Sequence, residues 1–228
     1  VALRHGLVAL DTAMLGEGVR RFANSRNTAD RAARFNGVDV QPLYHPPRLA
    51  PRLHRGEAGR YILSVGRLEA VKRVDLAIRA LAHVPGDLSL VIAGTGTNRA
   101  ALDALVAELD LGARVRFLGE VDDDTLVELY AGALGVVYPP YDEDYGYVTL
   151  EAFLAAKPVL TTADSGGPNE FVVDGENGRV TAPDPEALGE VMAWLDADHA
   201  RAAALGESGY DRARTVTWTG VIETLIGA

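Results

Sequence analysis

Between Tyr61 and Val180, short β-rich runs alternate with segments of helical period, and that alternation is what most constrains the fold. The runs are Tyr61–Val65 (YILSV), Leu88–Ala93 (LSLVIA), Val115–Leu118 (VRFL), Gly135–Tyr138 (GVVY), Pro158–Thr161 (PVLT) and Gly178–Val180 (GRV). Parallel strands need long crossovers, and a helix is the usual crossover. The intervening segments have the matching apolar stripes: Val74, Ile78, Leu81; Leu102, Leu105, Val106, Leu109; Leu126, Leu129, Tyr130, Ala133. A further stripe, Leu188, Val191, Met192 and Leu195, follows the last run and leads into Ala/Arg-rich helical sequence to about Arg214. In the first stripe Arg73, Asp75 and Arg79 are placed on the outward side, and Trp194, Tyr210 and Trp218 read as core. The pattern predicts one complete α/β domain over 59–214, a doubly wound, Rossmann-like parallel sheet with helices on both faces.

The flanks do not share the repeat. Residues 1–45 read as helix, short strand (Arg20–Ala23), helix (Asn27–Phe35, capped by Ser25 or Asn27) and strand (Val38–Leu43). So few residues cannot easily bury a core of their own, and they are expected to end a domain whose bulk lies elsewhere. Residues 46–58, within HPPRLAPRLHRGEAG, have no periodicity and read as a linker; 215–228, with TWTGVIETLI, reads as a closing helix. The first residue is Val1 and the opening segment is unlike a signal peptide, which predicts a piece of a longer protein.

Composition excludes several classes. A net charge of −10, from 22 Lys+Arg against 32 Asp+Glu, leaves no basic face for nucleic acid. The absence of cysteine removes disulfides and thiolate metal sites. The five histidines are scattered without ligand spacing, and no apolar run approaches the ~20 residues of a membrane helix.

The chemistry concentrates in Tyr141–Lys157, YDEDYGYVTLEAFLAAK. Glu143 sits in an irregular Asp/Gly/aromatic segment, and Glu151 falls in the first turn or two of an apolar helix. A helix start offers unpaired N–H groups and a positive dipole end, which favour a phosphate. Two acids beside an anion site suit a phosphate with hydroxyl-bearing groups at both ends, which is a nucleotide-sugar. Arg67 and Lys72, in GRLEAVK, are the cations able to meet its diphosphate. Each of these charges has a plainer reading as a solvated or dipole-facing side chain, and it is their combination that points to a site. Asp122-Asp123-Asp124 resembles an Asp-x-Asp metal motif but opens a helix, so capping explains it and no metal ligand is assigned. Gly94 and Gly96 do not begin a dinucleotide fingerprint, because position 99 is Arg; they read as a tight turn close to a ligand. Ser165-Gly166-Gly167-Pro168 with Glu170 reads either as bare backbone approaching sugar or phosphate, or as a plain turn.

Taken in order, GRLEAVK, VIAGTG, VRFLGEV, LVELYAGA, EDYGYVTLE, AAKPVL and SGGPNEFVVDGENGRV resemble the C-terminal half of a retaining GT-B glycosyltransferase. The family resembled is family 4, which includes sucrose synthases and bacterial lipid and polysaccharide mannosyltransferases. NSRNTADRAARF is similar to the end of that family's first, acceptor-side domain. The resemblance implies transfer of a hexose from a nucleotide-diphosphate sugar to a glycan or lipid-linked acceptor, with retention and without cofactor or metal. Arg67 and Lys72 would hold the diphosphate, Glu151 the ribose, and Glu143 the transferred sugar or its developing oxocarbenium ion. Gly66, Gly94 and Gly96 would approach the donor. The strand end at Gly119 and Val121 would lie against the base. Gly146, Tyr147, Val148 and Thr149 would present backbone N–H groups. Asp144 and Tyr145 stand where the family usually has Gly and Phe, and the extra acid is expected to influence which sugar is accepted. The resemblance also implies a cytoplasmic enzyme at the inner face of a membrane, weakly associated with it through its acceptor. This chain alone is expected to bind donor but to transfer poorly without its first domain. Of two alternatives, a nucleotide-sugar epimerase or other non-transferase GT-B enzyme would bring its own catalytic histidines or a pyridoxal-phosphate lysine, which no motif here suggests. The other, a non-catalytic α/β interaction module, gives no reason for Arg67, Lys72, Glu143 and Glu151 to co-occur.

Overall fold

The computed structural model describes residues 2–16 and 20–227; Val1, positions 17–19 and Ala228, which belong to the predicted flanks, lie outside the described residues. The first elements are α1 (Ala2–Gly16), β1 (Phe22–Ala23), α2 (Arg26–Asn36) and β2 (Gln41–Pro42). The repeat then runs β3 (Tyr61–Val65), α3 (Val74–Ala82), β4 (Ser89–Ala93), α4 (Arg99–Glu108), β5 (Val115–Gly119) and α5 (Asp123–Gly132). It continues with β6 (Gly135–Val137), α6 (Tyr147–Leu154), β7 (Val159–Thr162) and β8 (Gly178–Thr181), and closes with α7 (Pro185–Ala197), α8 (His199–Ala213) and α9 (Trp218–Ile226).

The six strands of the repeat form one sheet in the order β5-β4-β3-β6-β7-β8, parallel throughout. Side chains alternate across it as a pleat requires. Ile62, Leu90, Ile92, Val137 and Leu160 pack on the α3, α4 and α7 face with Ile78, Leu81, Leu105 and Met192. Leu63, Val91, Val136 and Val159 point the other way, onto Tyr130, Leu150 and Phe153 of α5 and α6. Because both faces are covered, the strands read as nearly continuous apolar runs. The strand order reverses between β3 and β6, and the crevice outside the carboxyl ends of those two strands is where a doubly wound sheet binds ligands.

Several expectations change. Arg73 does not face outward; it takes a left-handed conformation (φ 48°) at the N-cap of α3 and turns its side chain inward. Trp218 is not core but 56% exposed, and Trp194 and Tyr210 are half-buried. Ser25, not Asn27, caps α2, accepting from the Thr28 amide at 3.0 Å. The strand expected over Val38–Leu43 shrinks to Gln41–Pro42, paired in parallel with β1. The Pro/Arg-rich segment is irregular as expected, yet it lies against the sheet domain: Leu49 is buried, Arg48 and Arg52 pair with Asp123, and Gly56 accepts from Lys157 at 2.8 Å. Among the described residues, no helix is long and apolar enough to cross a membrane.

Candidate functional site

On one side of the strand-order reversal the site is made of backbone. β3 and β4 end at Val65 and Ala93, each just before a glycine (Gly66 and Gly94), β5 ends at Gly119, and their exits are laced together. Gly66 N–H donates to Ala93 C=O at 3.0 Å, Gly94 N–H to Gly119 C=O at 2.7 Å, and Leu68 N–H to Thr95 C=O at 2.8 Å. A Cβ on Gly94, whose φ is 137°, would lie 1.9 Å from the Gly66 carbonyl oxygen, and one on Gly96 would lie 2.5 Å from that of Leu68. Only glycine lets these two loops close on each other. Beside them opens a cleft of about 350 Å³ lined by Val65, Gly66, Arg67, Gly94, Glu120 and Val121. Arg67 is exposed on its wall and forms no salt bridge among the described residues.

On the other side the site is made of side chains. β6 runs into Tyr138, Pro139 and Pro140, then the acidic loop. Lys72, in a short 3-10 turn after β3, forms a salt bridge with Glu143; the two side chains are 15% and 20% exposed. The Tyr138 ring centroid lies 5.9 Å from the Lys72 Nζ. Burial, reinforced by the carboxylates of Glu143 and Glu151, pushes the Tyr138 phenol far above its ordinary range. Glu151, in the second turn of α6, accepts from the Tyr130 Oη at 2.8 Å. Burial raises the Glu151 pKa, opposed by that hydrogen bond and by Arg48. Lys72, Tyr138, Glu143 and Glu151 thus share one electrostatic neighbourhood. The start of α6 completes it. Its N-cap is Gly146 in a left-handed conformation (φ 80°), wedged where a Cβ would meet Pro168 Cγ at 2.9 Å and Tyr138 Cε1 at 3.1 Å. No side chain caps this helix, so the first-turn N–H groups of Tyr147 and Val148 are open to a ligand. Thr149 is fully buried there: its N–H, expected to face the ligand, instead donates to Gly146 C=O at 3.0 Å, and its hydroxyl has no partner among the described residues.

The remaining candidates have local partners. The Gly166-Gly167 turn packs on the acidic loop: Glu143 N–H donates to Ser165 C=O at 3.0 Å and Gly167 N–H to Glu143 C=O at 2.7 Å. Glu170 caps α2, accepting from the Arg26 and Asn27 amides, both at 2.8 Å. Asn27 donates its side-chain amide to Asp142 and to the Glu143 carbonyl, both at 2.9 Å, and Arg31 pairs with Asp144. Asp122 caps α5 through the Thr125 amide at 2.8 Å, while Asp123 and Asp124 are paired with Arg48 and Arg52. Sequence reasoning missed Tyr130, Tyr138, Arg73 and Asn27. Tyr130 and Tyr138 were hidden as apolar positions in a helix stripe and a strand run; only their hydroxyls, next to two acids, betray a further role.

The family model described as glycosyl transferases group 1 matches residues 49–212. The chain belongs to that family. A D-inositol 3-phosphate glycosyltransferase from Mycolicibacterium gilvum (strain PYR-GCK) is 35% identical over 202 residues, which cover 83% of this chain and 44% of that protein. One from Nocardia farcinica is 32% identical over 242 residues, covering 93% of this chain and 52% of that protein. The chain therefore spans about half the length of the curated relatives it matches. Among solved structures, Anabaena HepE in complex with UDP and glucose superposes with a TM-score of 0.83 at 22% identity, over 97% of this chain and 67% of that one. The sucrose-phosphate synthase of Thermosynechococcus elongatus gives 0.78 at 26% identity, over 96% and 60%. The doubly wound sheet is that of the GT-B glycosyltransferases, as the sequence resemblance implied.

Proposed function

We propose that this chain is the donor-binding half of a retaining hexosyltransferase, taking a nucleotide-diphosphate sugar and delivering the hexose to a glycan or lipid-linked acceptor. The observation that carries this reading is the Lys72–Glu143 pair and Glu151 gathered beside the open N-terminus of α6, at the reversal in strand order. The base would lie in the cleft against Gly119 and Val121, and the ribose hydroxyls would donate to Glu151. The diphosphate would meet Arg67, Lys72 and the open N–H groups of Tyr147 and Val148, with Gly66, Gly94 and Gly96 giving it room. As the bond from the anomeric carbon to the diphosphate breaks, negative charge grows on the leaving oxygen and positive charge on the sugar. Arg67, Lys72 and the helix dipole stabilise the first, and Glu143 the second. Because these groups supply the cationic charge, the reaction needs no metal. The acceptor enters from the rest of the protein, so the isolated chain binds donor and transfers poorly. We place the enzyme in the cytoplasm, at the inner face of the membrane when its acceptor is lipid-linked. HepE, solved with UDP and glucose, supports the ligand class, and the D-inositol 3-phosphate glycosyltransferases support the reaction class.

Calorimetric titration with UDP, GDP and ADP tests the reading. Selective binding of one nucleotide, weakened by both Arg67→Ala and Glu151→Ala, is expected. No binding of any of the three to folded full-length protein would overturn it.

A further inference from the structure

Arg73 occupies a left-handed backbone conformation (φ 48°) that costs an arginine more than a glycine, and its side chain makes contacts that a glycine could not. That side chain ties the loop that delivers Glu143 to the end of β7 and the turn after it. Its Nε donates to Pro139 C=O at 2.7 Å and its Nη2 to Pro140 C=O at 2.8 Å. The same guanidinium holds Thr162 Oγ1 at 2.8 Å and both carboxylate oxygens of Asp164, at 2.7 and 2.9 Å. Prolines have no N–H, so their carbonyls are the only backbone handles on that stretch. Beyond them the backbone can bond for itself: Tyr141 N–H donates to Val71 C=O at 2.8 Å, and Asp142 N–H to Asp164 C=O at 3.0 Å. Asp142 is itself left-handed (φ 46°), so the held loop carries a second non-glycine residue in this conformation. One turn therefore does two jobs. Lys72 grips the Glu143 carboxylate, and its neighbour Arg73 fixes the proline corner from which Glu143 is hung.

We infer that Arg73 is a positioning residue: by clamping Pro139-Pro140 to the end of β7 it sets where the Glu143 carboxylate meets the transferred sugar. This rests on the donor reading above for its consequence, but not for its geometry. The distinction from a structural turn lies in what glycine does. Glycine relaxes the backbone and removes the guanidinium, whereas lysine keeps the charge and loses the fork.

The test uses full-length protein with Arg73→Met, Arg73→Lys and Arg73→Gly, and UDP-glucose, GDP-mannose and ADP-glucose as donor probes. With whichever probe the unsubstituted protein turns over, Arg73→Met is expected to lower kcat about 100-fold, the scale of a misplaced reacting group. KM for the donor and Kd for the free nucleotide should stay within about threefold, because Arg67 and Glu151 are untouched. Arg73→Lys should recover part of the rate, and Arg73→Gly should remain at the level of Arg73→Met. A full rate in Arg73→Met, or rescue by Arg73→Gly, would overturn the inference. Hydrogen exchange at Tyr141, Asp142 and Glu143 supplies a readout that needs no donor. Exchange should quicken at least about tenfold in Arg73→Met and Arg73→Gly; unchanged exchange would also overturn it. Quickened exchange in a protein that binds no nucleotide would support the clamp and sink the donor reading instead.

Discussion

The two halves of the sheet's C-terminal edge are built from different materials. The β3–β4–β5 half is backbone: glycine exits bonded carbonyl to amide, with a shallow cleft and one unpaired arginine on its wall among the described residues. The β6–β7 half is side chain: Lys72 on Glu143, Arg73 on Asp164, Asn27 on the acidic loop, and buried tyrosines against two glutamates. A shape built from backbone accepts a flat group that presents edges and faces. A network of held charges suits a centre where charge appears during reaction. A nucleotide-sugar has one end of each kind, and the asymmetry of the site matches the asymmetry of that molecule.

The largest expected effect falls on the backbone half. Gly94→Ala drives a methyl against the Gly66 carbonyl at 1.9 Å from a strained φ, and should cost roughly 3 kcal/mol or more in denaturant unfolding. A loss below about 1 kcal/mol would mean that the two loops are not locked together. On the charged half, Glu143→Gln should instead leave folding and nucleotide affinity nearly intact and lower turnover about 10²–10³-fold. Equal losses of affinity and rate would erase the division between halves.

Glu151 sharpens the contrast because it joins the halves. Glu151→Gln should weaken nucleotide binding by about 1.5–3 kcal/mol in titration calorimetry, the value of charge-assisted hydrogen bonds. Its raised pKa also has a sign. The folded chain keeps the Glu151 proton to higher pH than the unfolded chain does. Between the ordinary carboxylate value and the raised one, the folded state therefore holds more protons, and stability falls as pH rises through that window. Glu151→Gln should remove that slope in pH-dependent melting, and a slope that persists in the variant must come from another group. The smallest effect belongs far from the edge: Asp184→Ala, which loses the cap on the Ala187 amide, should cost about 1 kcal/mol and change no binding constant.

The fold was largely legible because each helix carries its own period and each strand is a bounded apolar run. Ile62 and Leu63 point to opposite faces yet are both apolar, since helices cover the sheet on both sides. That Lys72 and Glu143 meet, with Glu151 on the helix after them, was legible from local spacing and helix position, and Gly66 was legible as a strand exit. Arg73 was not, since a helical wheel drawn through Val74 and Ile78 puts it outside, and only its left-handed turn reverses it. Trp218 failed for the opposite reason: a large apolar ring reads as buried, but here it lies 5.8 Å from the His45 ring and is more than half exposed. Asn27 could not be found locally at all, because the loop it holds lies 115 residues away.

A crystal structure of the full-length protein with the nucleotide that titration selects tests the central claim most directly. The base should lie on Gly119 and Val121, the ribose on Glu151 and the diphosphate at the start of α6, with its terminal oxygen turned toward Lys72 and Glu143. A nucleotide bound away from the β3–β6 reversal, or with its base among the charged residues of the β6–β7 half, would contradict the account.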